Sequence, residues 1–155
     1  MYNHQSENEP CVFCQFAHGK ETEHKKKSDI VFEDTQTLAF ISPKWWIHNP
    51  GHVIVIPKEH FENIYDIPDE LLSHVHVVTK HIAIALKETY NCDGTSIRQH
   101  NEPAGNQDLW HFHVHVFPRY KNDELYKNHD KYRFVTQDER KPYAEKLRKY
   151  FAIKK

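Results

Sequence analysis

Apolar positions along this 155-residue chain recur with two periods. Between Pro68 and Tyr90, the residues Leu71, Val75, Val78 and Ile82, and then Ala85 and Leu86 at three and four beyond Ile82, recur at helical spacing, which places them on one stripe of a helix. Pro68 suits the first turn, and Asp69 and Glu70 suit the positive end of the helix dipole. Val77 and Ile84 fall outside the stripe, one heptad apart, and read either as scattered surface residues or as a partner contact. A second helix, over Glu139–Phe151, is charged, with Tyr143, Leu147, Tyr150 and Phe151 as its apolar edge. Shorter segments have strand character: Asp29–Glu33 and Thr37–Ile41 around a turn at 34–36, His52–Ile56 stopped by Pro57, Thr95–Gln99, and His111–Phe117 ended by Pro118. Residues 42–51 carry two prolines and Trp45-Trp46 and read as a connection with aromatic anchors. Residues 1–10 read as a frayed polar tail, and 18–29 as a charged surface loop. Short strands, one long helix, further strands and a terminal helix predict a single α+β domain over residues 1–155 with an antiparallel sheet.

Composition narrows the function. A net charge of −1 argues against bulk electrostatic affinity for nucleic acid or an anionic membrane. The four glycines have neither dinucleotide-fingerprint nor Walker-loop spacing, and no serine sits in a nucleophile elbow. No aliphatic run reaches the length of a membrane span, and the polar N-terminus shows no apolar leader. Three cysteines cannot complete a disulfide framework, so a reducing, cytoplasmic compartment is expected.

The chain holds 14 histidines, and their positions matter more than their number. His111, His113 and His115 alternate with Phe112, Val114 and Val116, so a strand here would put three imidazoles on one face. Along a strand they would stand about 6.6–6.8 Å apart and line one groove. Neutral imidazole is a competent nucleophile near pH 7 if one ring nitrogen is bare and the other N–H is held by an acceptor. Cys11 and Cys14 form a CxxC pair, which alone fits redox chemistry, metal binding or two ordinary thiols. Its place before any strand argues against a thioredoxin-like role, and a structural zinc would require two further ligands.

The histidine alternation, preceded by Ala104-Gly105-Asn106-Gln107, resembles the signature of the histidine triad family. The segment from Pro50 through Val53-Ile54-Val55-Ile56-Pro57 to His60 is similar to that family's second block, and Cys11–Phe16, Leu38-Ala39-Phe40 and His115–Arg119 also match. The resemblance runs from about residue 11 to the C-terminus. It implies a HIT-like fold, with a five-stranded antiparallel sheet, one long helix and one C-terminal helix, usually paired into a homodimer. It implies a purine nucleotide partner and hydrolysis at the α-phosphorus, of a nucleoside phosphoramidate or a dinucleoside polyphosphate. His113 would be the nucleophile, with His115 and His52 completing the catalytic cluster. Val12, Phe13, Phe16 and Phe40 would form the base pocket, with His100, Asn101, Asn106, Gln107 and Asp108 also meeting substrate. Some relatives bind zinc through a CxxC pair and two histidines, which here would be Cys11, Cys14, His60 and His111. No organic cofactor is implied. A nucleotidyltransferase or phosphorylase using the same histidine, or a non-enzymatic nucleotide-binding regulator, are the alternatives.

The chain departs from the family pattern in three places. Ile41 and Ser42 stand where an acidic ribose ligand is common, Asp108 where Ser or Thr faces phosphate, and His100 where Asn or Gln is usual. Asp108 should repel phosphate unless it points away or is protonated.

Overall fold

In the computed structural model, which describes residues 2–6 and 8–154, ten helices and strands follow in chain order. They are α1 (Val12–Ala17), β1 (Ile30–Glu33), β2 (Thr37–Ile41), β3 (Lys44–Trp46), β4 (Val53–Pro57), α2 (Asp69–Tyr90), β5 (Gly94–Gln99), β6 (Val114–Arg119), β7 (Tyr132–Phe134) and α3 (Gln137–Ile153). The fold is α+β and HIT-like: five strands in the order β1-β2-β4-β6-β5, every neighbouring pair antiparallel, with a long central and a C-terminal helix. β3 and β7 form a separate two-stranded ribbon.

Alternation along the strands divides the interior in two. Ala39, Ile41, Val53, Val55, Val114 and Val116 face α2 and α3, where the stripe residues Val75, Val78, Ile82, Ala85 and Leu86 cover them. Leu38, Phe40, Ile54 and Ile56 face the other way and are covered by Phe13 and Phe16 of α1. Each such fully buried side chain contributes about 1.5–3 kcal/mol over its exposed state. Val77 and Ile84 stay exposed on α2, as their position outside the stripe requires.

Two contacts fix the helices to the sheet. Arg140 of α3 forms a bidentate pair with Asp29, at 2.9 and 3.0 Å, and both side chains are about 1% exposed. Gly51 enters β4 with φ +75°, and a Cβ there would stand 2.3 Å from the Tyr143 ring of α3. Glycine is needed for both the conformation and the close approach.

The structure shifts several sequence expectations. β6 begins at Val114, not His111, because Phe112 N–H donates to the Phe61 carbonyl instead of joining the ladder. β6 also continues through Pro118, since β4 ends opposite Val116 and leaves that stretch paired on one side only. The 42–51 connection contains β3, whose partner β7 was not read from the sequence at all. The 1–10 stretch is tied down where described: His4 and Gln5 N–H donate to the Glu62 carboxylate, and Tyr2 packs edge-on against Tyr65. Met1 and Glu7 of that expectation, and Lys155 of the 1–155 domain, lie outside the described residues. Among the described residues no helix is long and apolar enough to cross a membrane.

Replacing Arg140 by Met strands a buried carboxylate and should cost about 3–5 kcal/mol in a denaturant titration. Adding Asp29→Asn should recover part of that loss. An unchanged midpoint in Arg140→Met would show that the pair does not brace α3.

Candidate active site and metal centre

Paired residues of an antiparallel sheet share a face. The register places Phe40 opposite Ile54, Ile54 opposite His115, and His115 opposite Arg98. One row across four strands therefore runs from apolar to cationic. A cavity of about 810 Å³ opens over this face. Its walls are α1 (Val12, Phe13), the 106–109 loop, and the β3–β7 ribbon with Lys44, Trp46, Tyr132 and Phe134.

His113 sits within this cavity and is buried but for one edge. Its Nδ1 lies 2.7 Å from the His111 carbonyl oxygen. A carbonyl only accepts, so Nδ1 carries the proton and Nε2 is the bare nitrogen. Burial lowers the pKa of His113, and the carbonyl hydrogen bond and the Asp108 carboxylate draw it partly back. The ring is therefore neutral at pH 7. Asp108 points toward it: Oδ1 is 3.8 Å from His113 Nε2, while Oδ2 takes Lys44 Nζ at 3.3 Å.

His115 Nδ1 is 3.3 Å from His52 Nε2. Burial, and then the neighbouring His113 and His52 rings, hold His115 well below its ordinary pKa. His52 is fully buried and stacks on Phe117 with ring centroids 4.4 Å apart. Burial, followed by the charges of Arg98 and Lys44, pushes His52 down to about 3. Gln107 staples the loop: its amide donates to the Glu62 and Leu109 carbonyls, and its oxygen accepts from Glu102 N–H. His100 donates Nδ1–H to the Asn106 carbonyl at 2.9 Å.

The first histidine of the alternation faces elsewhere. His111 donates Nε2–H to the Pro57 carbonyl at 3.0 Å, and its bare Nδ1 stands 3.3 Å from Cys11 Sγ and 3.5 Å from Cys14 Sγ. His60 Nδ1 is 3.3 Å from Cys14 Sγ, and all four donor atoms lie within 4.8 Å of one another. A tetrahedral zinc with bonds of about 2.3 Å to sulfur and 2.0–2.1 Å to nitrogen has sulfur–nitrogen edges of about 3.5 Å. The donor set and its spacing thus fit a metal ion. Burial holds His111 down at about 4, which keeps the ring neutral and able to ligate. Burial, then the hydrogen bond and charge of Cys11, push the Cys14 thiol up to about 12, so a neighbouring cation is what would let it ionise.

Of the substrate residues expected from sequence, Val12, Phe13, His100, Asn106, Gln107 and Asp108 line the cavity with His113 and His115. Phe16 and Phe40 lie in the core beneath α1, outside the lining. Asn101 holds a turn, its oxygen accepting from Ile64 N–H, and His52 stands behind His115 without reaching the cavity. Sequence reasoning missed Lys44, Arg98, Phe117, Tyr132 and Phe134, all of which line it together with Trp46 of the Trp45-Trp46 pair. For two of them a signal was present: Arg98 alternates with Ser96 along β5, next to His100, and Phe117 continues the alternation of His113 and His115.

The HIT domain family matches residues 23–122. The protein hit of Bacillus subtilis is 35% identical over 113 residues, 72% of this chain and 72% of that protein. A zinc-bound histidine triad family protein from Mycobacterium smegmatis superposes with a TM-score of 0.75 at 28% identity, covering 92% of this chain and 94% of that one. A HIT family hydrolase from Legionella pneumophila gives 0.55 at 31% identity, covering 69% and 90%.

The His52 shift carries a pH consequence. Folded His52 stays neutral down to about 3, whereas in the unfolded chain it protonates near 6.5. Between those values the unfolded state binds the extra proton, so stability falls as pH drops, by up to about 1.4 kcal/mol per pH unit from this residue. His52→Gln should flatten the acid limb of stability, measured by urea unfolding from pH 7 to 4, by close to one proton. A limb of unaltered slope would count against a neutral, buried His52.

Proposed function

The chain belongs to the HIT domain family, and on that premise we propose that it is a hydrolase acting at the α-phosphorus of a purine nucleotide derivative, with His113 as nucleophile. The observation that carries this reading is the hydrogen bond from His113 Nδ1 to the His111 carbonyl, which leaves a neutral ring with Nε2 bare. The Nε2 lone pair attacks phosphorus and the N–P bond forms. The bond from phosphorus to the leaving oxygen or nitrogen breaks, and its electron pair departs on that atom, a leaving nitrogen also taking a proton from solvent. Water then attacks the nucleotidyl-histidine and gives its proton to solvent. The N–P bond breaks, the pair returns to Nε2, and a nucleoside monophosphate is released.

The other residues have separable tasks. His115, tied through Nδ1 to His52, has Nε2 left to serve the phosphoryl oxygens. His52 acts through His115 as a positioning residue. Val12 and Phe13, with Ile54 and Leu109, offer an apolar wall for the base. In the stapled 106–108 loop, Asn106 and Gln107 N–H already donate to the Pro103 and Glu102 carbonyls, so the Asp108 N–H is the backbone donor left for phosphate. Asp108 must be displaced from His113 by an incoming phosphate, and its pairing with Lys44 offsets their repulsion.

Cys11, Cys14, His60 and His111 would hold a structural zinc. Four protein ligands close its coordination, so it supplies anchorage for α1 and His111 and no reaction chemistry. The zinc-bound M. smegmatis neighbour supports this reading.

His113→Ala should lower turnover by about 10³-fold or more while nucleotide binding persists. Acid-sensitive label from an α-phosphorus-labelled substrate should appear on the wild-type chain during turnover, and active enzyme free of label would remove the covalent step. Elemental analysis should find roughly one zinc per chain, lost together with stability in Cys14→Ser. A metal-free wild type of equal stability would refute the zinc reading.

A further inference from the structure

The cavity carries three cations, and they are differently placed. Lys44 Nζ lies 3.3 Å from Asp108 and 4.0 Å over the Tyr132 ring. Lys25 lies at the α1 end, 5.2 Å over Phe13. Arg98 is on β5, directly across from His115. Its guanidinium is held between two rings, 4.9 Å from Phe117 and 4.6 Å from Tyr126. Among the described residues, its buried Nε and Nη2 have no hydrogen-bond partner. The neighbouring carboxylate, Asp123, is taken by Arg119 at 2.7 and 2.8 Å. Those two nitrogens are covered, so an anion would meet the guanidinium at the part that lines the cavity, where the aromatic faces hold it in place.

Position says which anion. With a base against Phe13 and Ile54 and the α-phosphorus at His113, two stretches of wall remain: the ribbon with Lys44, Trp46 and Tyr132, and the sheet end with His115, Phe117 and Arg98. Lys44 is paired with Asp108, whereas Arg98 has no carboxylate partner among the described residues, which favours the sheet end for the leaving group.

We propose that Arg98 is a specificity-determining residue that binds a phosphate on the leaving side of the scissile bond, selecting nucleotides whose leaving group is a phosphate chain over those that release an amine. The proposal rests on the reading of His113 as nucleophile. As the N–P bond forms, the bridging P–O bond breaks and its electron pair stays on the departing phosphate. The guanidinium keeps all its protons and neutralises that charge through hydrogen bonds. A departing amine must instead gain a proton, and a cation beside it brings no advantage.

The test compares kcat/KM for diadenosine tetraphosphate and adenosine 5′-phosphoramidate in wild type, Arg98→Met and Arg98→Lys. Methionine keeps apolar cover on Phe117 and Tyr126 but removes the charge. Arg98→Met should lose about 100-fold on the polyphosphate and at least about tenfold less on the phosphoramidate, with Arg98→Lys recovering part. Equal losses on both substrates, or none, would overturn the role of Arg98 and leave the His113 nucleophile standing. A wild type inert toward both substrates would instead sink the hydrolase reading. Calorimetry then decides on Arg98: wild type should bind adenosine triphosphate more tightly than the monophosphate, and Arg98→Met should lose that preference. Equal wild-type affinities would overturn the proposal.

Discussion

One hydrogen bond joins the two centres of this molecule: the His113 Nδ1–H donated to the carbonyl of His111. The same residue that turns its ring toward Cys11 and Cys14 turns its carbonyl toward the reactive imidazole. It can do so because residues 111–113 leave the β-ladder. Phe112 N–H goes to the Phe61 carbonyl, and His111 Nε2–H to the Pro57 carbonyl. Backbone groups that a regular strand would spend on its neighbours are here spent on aiming two side chains. Whatever steadies His111 steadies the tautomer of His113.

Burial does the rest of the electrostatic work. His52, His113 and His115 are all held below their ordinary pKa, with desolvation the first cause for each. Mutual repulsion reinforces it, because a proton on any one ring would face the others at short range. The cluster is therefore uncharged at neutral pH, and the fixed positive charge of the cavity comes from Arg98, Lys44 and Lys25 on its walls. Separating the neutral rings from the fixed charge in this way keeps an imidazole lone pair available beside groups that attract an anion.

Sequence alone made the sheet and the long helix legible, because their apolar periods are strong: the α2 stripe is buried residue for residue, and β2 matches its expected bounds. The CxxC pair and its two histidines come together in space although sequence spacing alone left their role open. What escaped was set by long-range pairing. Lys44–Trp46 becomes a strand only because Tyr132–Phe134 lies beside it, about ninety residues on, and neither segment has enough apolar alternation to declare itself. Arg98 was not singled out in the sequence, and it is the register that sets it across from His115. Asp108 was expected to repel phosphate unless it pointed away or was protonated, whereas in the structure Lys44, from that same unread strand, pairs with it at 3.3 Å.

The β3–β7 ribbon stands apart from the main sheet, three residues to a strand. It supplies a wall of the cavity while the reactive imidazoles hang on β6 and its approach. The ribbon thus lines the cavity as a module of its own, with Lys44 reaching Asp108 beside His113. Such an arrangement is permissive to evolutionary drift: side chains of the small ribbon can be exchanged to reshape the cavity, while the sheet that carries the imidazoles goes on unaltered beneath them.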